Sequence, residues 1–283
     1  MKNILVPTDF SPEAHHAYEV ALQVARHTGG SVTLLHVLEG IEDSSGGFST
    51  IGAPVGGNGI DPIFPIKLME ATKRRMHSLV AEAAGQGAGV PVQESIKVAA
   101  IGEGILRAIQ RHGTDLVVMG ARGHGVMEHF FVSSNTERII RLAPCPVLTV
   151  KHPHPHYAVH NIVFPSDFSP ETAHALGGLR HVQRVFPEAR LHLLHVLSGH
   201  GNQTAEQQMQ AFAREHELHN YQTAVVDAER TSVGIEQYAE GVQAELVVIP
   251  THARSGLSSF LRASIAETVA THAFPPVLTY HFR

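Results

Sequence analysis

Asn3-Ile-Leu-Val-Pro-Thr-Asp-Phe-Ser-Pro-Glu13 returns as Asn161-Ile-Val-Phe-Pro-Ser-Asp-Phe-Ser-Pro-Glu171, an offset of 158 residues with eight of eleven positions identical. A repeat of so long a period is a duplicated domain, because solenoid units recur every few tens of residues. Any fold for this chain must therefore be built twice. Leu34-Leu-His-Val-Leu38 recurs as Leu193-Leu-His-Val-Leu197 at an offset of 159, and Asp115-Leu-Val-Val-Met119 recurs as Glu245-Leu-Val-Val-Ile249 at an offset of 130. The fall from 159 to 130 gives the first copy 29 extra residues between Leu38 and Ile96. Where the copies now differ, one half kept a feature that the other lost.

Composition fits two globular units. The 283 residues are 43% hydrophobic and 17% charged, enough for each half to bury a core. A formal charge of -5 argues against the clustered basic surface of a nucleic-acid binder. Cys145 is the single cysteine, which excludes internal disulfides and suits a reducing compartment. No run reaches the roughly 18 apolar residues of a membrane span, and Pro7 and Asp9 break the first apolar run too early for a signal-peptide core. These features predict a cytoplasmic protein with neither membrane nor nucleic acid as partner.

Short apolar runs alternate with helical patterns. Asn3 to Val6, Val32 to Val37 and Leu116 to Met119 read as buried strands, with further strands at Val92 to Val98 and Val147 to Val150. Ala14 to Arg26, Ile66 to Ala84 and Ile101 to His112 read as amphipathic helices. This alternation implies right-handed βαβ units. The expected fold class is α/β, with two repeated doubly wound domains, each around a five-stranded parallel sheet. The first spans 1–151 with a long loop near 39–65, a His/Pro linker covers 152–159, and the second domain spans 160–283.

Such sheets bind ligands at the carboxyl ends of their strands, which directs attention to the loops after Val6, Val37 and Met119. In the first loop Ser11 can cap a helix, Pro12 suits its first position and Glu13 faces its positive end. Asp9 precedes that cap, either to bond the turn's own amides or to receive a ligand hydroxyl. After Met119, Gly120-Ala-Arg-Gly123 leads, across nine residues, to Ser133-Ser134-Asn135-Thr136-Glu137 and another helical pattern. Glycines and a helix start can cradle a phosphate chain, with Arg122 as either a phosphate contact or a solvated cation. Ser134 with Glu137 also forms a capping box, which needs no ligand.

The chain here resembles the universal stress proteins of the UspA type. Val6-Pro-Thr-Asp9, the Leu-Leu-His-Val strand, the G-x2-G-x9-G-[ST] pattern and Ala143-Pro-Cys-Pro-Val-Leu148 carry the resemblance, in that order. It implies a Rossmann-like fold of the adenine nucleotide alpha hydrolase type and a stress-response or regulatory role. It also implies ATP, ADP or AMP, with Mg²⁺, as ligand. By motif position it assigns Asp9 and Val37 to the nucleoside, Gly120 to ribose, and Gly123 with Ser134 to phosphates, with Pro7, Thr8, Arg122, Ser133 and Asn135 as further expected cofactor-binding residues. Ser133 stands where the third glycine of the motif would be. In the second half Pro250, Ala253 and Ala263 replace all three glycines, so that half is expected to be a pseudo-site although Asp167 survives.

The glycine- and serine-rich stretch from about Glu39 to Pro65 reads as a lid over the first site or as a disordered segment. His152-Pro-His-Pro-His156 with His160 reads as a stiff linker, with metal binding as the alternative. His36 and His195 lie inside strand patterns and are expected to be hydrogen-bonded core residues, and Cys145 to be structural. The last strand of each half offers an edge for pairing; family members pair there, which implies an internal pseudo-dimer and leaves room for a homodimer. No nucleophile with an activating base is evident. An ATP-independent scaffold and a slow ATPase stand as alternatives to a nucleotide-binding regulator.

Overall fold

The structure is a computed structural model that describes residues 1–39, 64–85, 89–121, 132–197, 204–252 and 257–282. The first half runs β1 (Asn3–Pro7), α1 (Pro12–Thr28), β2 (Ser31–Leu38), α2 (Phe64–Gly85), β3 (Val92–Val98), α3 (Ile101–Arg111), β4 (Leu116–Gly120), α4 (Val132–Leu142) and β5 (Val147–Val150). The second half repeats this as β6 (Asn161–Pro165), α5 (Leu176–Val185), β7 (Arg190–Leu197), α6 (Ala205–Glu215), β8 (Tyr221–Asp227), α7 (Thr231–Gly241), β9 (Leu246–His252), α8 (Leu257–His272) and β10 (Val277–Phe282).

Local chemistry explains the best-defined helix. Ser11 caps α1, its Oγ accepting from the Ala14 N–H at 3.2 Å, and Pro12 occupies the first turn. Gly29 ends the helix in the left-handed region at φ 64°, where a side chain would be strained. In α5 the pattern changes: the segment equivalent to the start of α1 is a 3-10 helix over Pro170–Ala175, and the α-helix begins only at Leu176.

The strands of the described residues join in a single ten-stranded sheet of order β3-β2-β1-β4-β5-β10-β9-β6-β7-β8. Within each half the pairings are parallel, as expected. The halves meet where β5 and β10 pair antiparallel, with Thr149 opposite Val277, Leu148 opposite Leu278 and Val147 opposite Thr279. The sheet is thus continuous through both last strands. Thr149 Oγ1 donates to the Val277 carbonyl and Thr279 Oγ1 to the Val147 carbonyl, each at 3.3 Å, so the buried hydroxyls reinforce the seam reciprocally. The core lies in two layers. Ile4, Val6, Val20, Leu34, Phe164 and Met209 belong to the layer on the α1, α2, α5 and α6 face, and Leu5, Ile105, Val117, Ile139 and Val247 to the layer on the other.

The 152–159 segment is docked rather than free. Gln23 of α1 donates through Nε2 to the His154 carbonyl at 2.8 Å and accepts the Tyr157 N–H at 2.6 Å. Among the described residues no group of three or more His, Cys, Asp or Glu is gathered for a metal ion. Most of the glycine-rich stretch, 40–63, lies outside the described residues, as do Arg122 and Gly123. None of the helices, over the described residues, is long and apolar enough to cross a membrane.

Candidate functional site

The strand order reverses at β1, which has β2 on one side and β4 on the other. The loops leaving β1 and β4 diverge there, and a crevice opens at the strands' carboxyl ends. In the first half this crevice is a cavity of about 260 Å³, lined in part by Pro7, Thr8, Asp9, Val37, Gly120 and Asn135. Six of the residues singled out in the sequence therefore meet in one place.

The loop after β1 is stitched by its own side chains. Thr8 N–H donates to the Leu35 carbonyl at 2.8 Å, continuing the ladder by one rung. Thr8 Oγ1 accepts the Phe10 N–H at 3.0 Å and Asp9 Oδ1 accepts the Ser11 N–H at 2.9 Å. These bonds hold Phe10 at φ 65°, a conformation costly for a bulky residue without such support. Asp9 thus fills its turn role through one oxygen. It is also exposed and lines the cavity, so both readings of Asp9 are compatible.

Val37 presents an open backbone edge. In a parallel ladder the N–H and C=O of one residue share an edge, and the edge alternates along the strand. Leu35 bonds toward β1, so Val37 also faces that side, beyond the last β1 rung at Pro7. The next rung would pair Val37 N–H with the Thr8 carbonyl, but that carbonyl instead accepts from His36 Nδ1 at 2.7 Å. His36 is therefore a hydrogen-bonded structural residue, and among the described residues Val37 N–H and C=O make no backbone bond on that edge, which borders the cavity. Burial holds its pKa below the usual imidazole range, although the bond to Thr8 and the nearby Asp9 favour the charged form. Below Val37 sits Gly104 of α3, where a Cβ would come 2.9 Å from a Val37 methyl.

Gly120 has a packing reason to be glycine. A Cβ there would lie 2.6 Å from the Glu13 carbonyl carbon and 2.7 Å from the Ala14 nitrogen. The end of β4 thus touches the α1 backbone. Beside it, Asn135 and Thr136 of α4 reach the cavity, and Thr136 Oγ1 lies 3.4 Å from the Gly120 carbonyl. The helix begins at Val132, so Ser133 and Ser134 lie in its first turn; the expected cap at Ser134 is displaced because the helix starts two residues earlier. The apolar walls, Leu35, Ile101, Ile105 and Met119, were not among the sequence candidates. Ile101 and Ile105 stand four apart on α3, a spacing that shares one helix face.

The second half has a corresponding cavity of about 220 Å³. His195 Nδ1 lies 3.0 Å from the Ser166 carbonyl, matching the His36–Thr8 contact, and among the described residues Val196 makes no backbone bond on that edge. Asp167 differs from Asp9. Its Oδ1 accepts from Ser169 N–H at 3.2 Å, Ser169 Oγ at 3.0 Å and Thr172 Oγ1 at 3.1 Å. Thr172 stands where the first half has Ala14, Pro250 where it has Gly120, and Ile265 where it has Asn135. As a chemical surface, the first cavity offers an apolar slot, a backbone donor and acceptor at Val37, an exposed carboxylate, and the first turns of three helices, α1, α3 and α4.

Comparison with known proteins agrees with the repeat. The family model of the universal stress proteins matches residues 1–151 and again 158–281. A universal stress protein of Thermus aquaticus is 32% identical over 154 residues, covering 53% of this chain and 98% of that protein. One of Methanocaldococcus jannaschii is 28% identical over 155 residues, covering 53% and 94% respectively. The crystal structure of a universal stress protein from Archaeoglobus fulgidus superposes with a TM-score of 0.73 at 19% identity, over 99% of this chain and 96% of that one, and so shares the fold. With the family pattern met once in each half and the double fold matched across nearly its whole length, this chain belongs to the universal stress protein family as a tandem of two of its domains.

Proposed function

We propose that the chain is a stress-response or regulatory protein whose first half binds an adenine nucleotide, ATP or AMP, while the second half does not. The observation that carries this reading is the meeting, in one cavity, of the open Val37 edge, the Asp9 carboxylate and the first turn of α4 beside Gly120. Each suits a different part of a nucleotide. A ring fits between the apolar walls and reads the backbone of Val37, ribose hydroxyls donate to Asp9, and phosphates lie toward the α4 N-terminus, whose dipole favours anions. The second half has Pro250 and Ile265 at its corresponding anion end. The single cysteine and a nucleotide ligand both suit a cytoplasmic setting.

The test is calorimetric titration of the whole chain with ATP and Mg²⁺, repeated for Asp9→Ala and Asp167→Ala. One site per chain is expected. Asp9→Ala should weaken it by about tenfold or more, since hydrogen bonds to a charged group contribute about 1.5–3 kcal/mol, while Asp167→Ala should leave it unchanged. Absence of binding heat in protein shown to be free of nucleotide, or equal sensitivity to both substitutions, would overturn the reading in favour of an ATP-independent scaffold.

A further inference from the structure

Pairing β5 with β10 leaves the sheet with β3 and β8 as its outer edges. The two edges are guarded differently. β3 carries Glu94 and Lys97 among its seven residues, charges of the kind that discourage a further strand, whereas β8 is uncharged from Tyr221 to Val226 and rich in β-branched residues. Ile96 of β3 and Val225 of β8 are equivalent, since each pairs with the histidine of its Leu-Leu-His-Val strand. Ile96 packs against the core, but Val225 is 39% exposed, and the helix on that face, α6, has 11 residues where α2 has 22.

The ladder fixes which groups of β8 point outward. Leu191 N–H donates to the Asn220 carbonyl and Ala228 N–H to the Leu197 carbonyl, so Gln222, Ala224 and Val226 bond toward β7. Tyr221, Thr223, Val225 and Asp227 therefore turn their N–H and C=O to the outer edge, where they have no partner among the described residues.

We propose that β8 is an interface for a second copy of this chain, which adds its own β8 antiparallel across a two-fold axis at Ala224 and extends one sheet through both molecules. This register overlaps the whole of Tyr221–Asp227. It sets Thr223 of each copy opposite Val225 of the other in hydrogen-bonded pairs, which covers the exposed valine. Tyr221 falls opposite Asp227, so the strand's carboxylate meets a hydroxyl-bearing aromatic residue and not its own copy. The contact repeats the antiparallel join already made between β5 and β10. Because one edge pairs with itself, assembly closes at the dimer, and the charges on β3 oppose growth at the far edges.

Sedimentation equilibrium of the full chain is expected to show monomer and dimer and nothing larger. Proline at Thr223 costs no bond to β7, because the N–H it removes points outward, yet it deletes a bond of the join from each copy. Thr223→Pro and the edge charge Val225→Lys should each weaken dimerisation at least about tenfold in chains whose circular dichroism is unchanged. In a Cys145→Ser background, which removes the native thiol, Ala224→Cys should cross-link the dimer on oxidation. The Cα atoms of such a non-hydrogen-bonded pair lie about 4.5 Å apart, and a disulfide spans about 4.4–6.8 Å. Val225→Cys should not cross-link, since its two copies lie about 8 Å apart on the diagonal. A monomer at up to about 1 mM, a dimer indifferent to Val225→Lys or to a folded Thr223→Pro, growth beyond the dimer, or cross-linking through Val225→Cys as readily as through Ala224→Cys would each overturn the proposal.

Discussion

Gly120 was singled out in the sequence as part of a phosphate motif, yet its surroundings require a glycine with or without a ligand. Both atoms that a Cβ would approach most closely belong to the Glu13 and Ala14 backbone, at 2.6 and 2.7 Å, and backbone yields less readily than the end of a side chain. Gly120→Ala should therefore destabilise the chain by about 1–3 kcal/mol, the usual cost of overpacking, seen as a lower urea midpoint with unchanged slope. An unchanged midpoint would show that α1 gives way freely. Where the second half carries Pro250 instead, the facing segment, Pro170–Ala175, is wound as a 3-10 helix. His36 shows the opposite limit of sequence reading. Its place in a strand correctly suggested a hydrogen-bonded residue, but its effect on Val37 depends on which carbonyl its ring reaches at 2.7 Å, and no spacing in the chain encodes that.

The two copies of the first helix show how an element is repacked when its neighbour changes. Val20 of α1 and Val150 of β5 correspond to Gly178 of α5 and Tyr280 of β10. A Cβ on Gly178 would fall 2.3 Å from the Tyr280 ring, and the Tyr280 hydroxyl donates to the Ala175 carbonyl at 2.7 Å, where the 3-10 helix passes into α5. The large residue on the strand and the missing one on the helix form a complementary pair. Gly178→Val alone should cost about 1–3 kcal/mol through overpacking, and Tyr280→Val alone about 2–5 kcal/mol through lost packing. The double variant restores the first half's pair and should be more stable than the sum predicts, by about 0.5–3 kcal/mol. Simple additivity in equilibrium unfolding would refute the pairing. The strands themselves were legible because buried parallel strands are continuous apolar runs: Val92–Val98 has the limits read from sequence, and β1, β2 and β4 each run a residue or so further. The start of α4 was less legible, since Ser134 and Glu137 fit a capping box but the helix begins at Val132. Capping preference is worth about 1 kcal/mol, which tertiary contacts readily override. The break in α5 was not legible, because its cause lies about a hundred positions further along the chain.

Across the whole molecule, the seam and the docked linker make the halves one body, and histidines are concentrated where that body is joined. His152 stacks on Phe274 with ring centroids 4.7 Å apart, and His154 lies beside Tyr157 with its Nε2 buried and without a partner among the described residues. Burial comes first in holding the pKa of both below the ordinary imidazole value, and cationic neighbours add to it, Lys151 and His16 at His152, His152 and His16 at His154. His281 of β10 is lowered too, mainly by burial. The sign follows from linkage. With the native pKa below the unfolded value of about 6.5, the unfolded chain binds more protons between the two, so stability is fully present above about pH 6.5 and is lost as pH falls through that window. Carboxylates of ordinary pKa titrate near pH 4, and Glu236 and Glu267, raised above that mainly by burial, act with the opposite sign, so neither accounts for a loss on acidification beginning there. The expected outcome is that protection of the Tyr157 amide, bonded to Gln23 at 2.6 Å, declines between about pH 7 and 5.5 after correction for intrinsic exchange. The double variant H152Q/H154Q, which cannot take up those protons, should flatten the decline. A decline of equal size in that variant would place the acid sensitivity elsewhere in the molecule, and a flat profile in the unsubstituted chain would mean that the linker histidines accept protons without loosening the join.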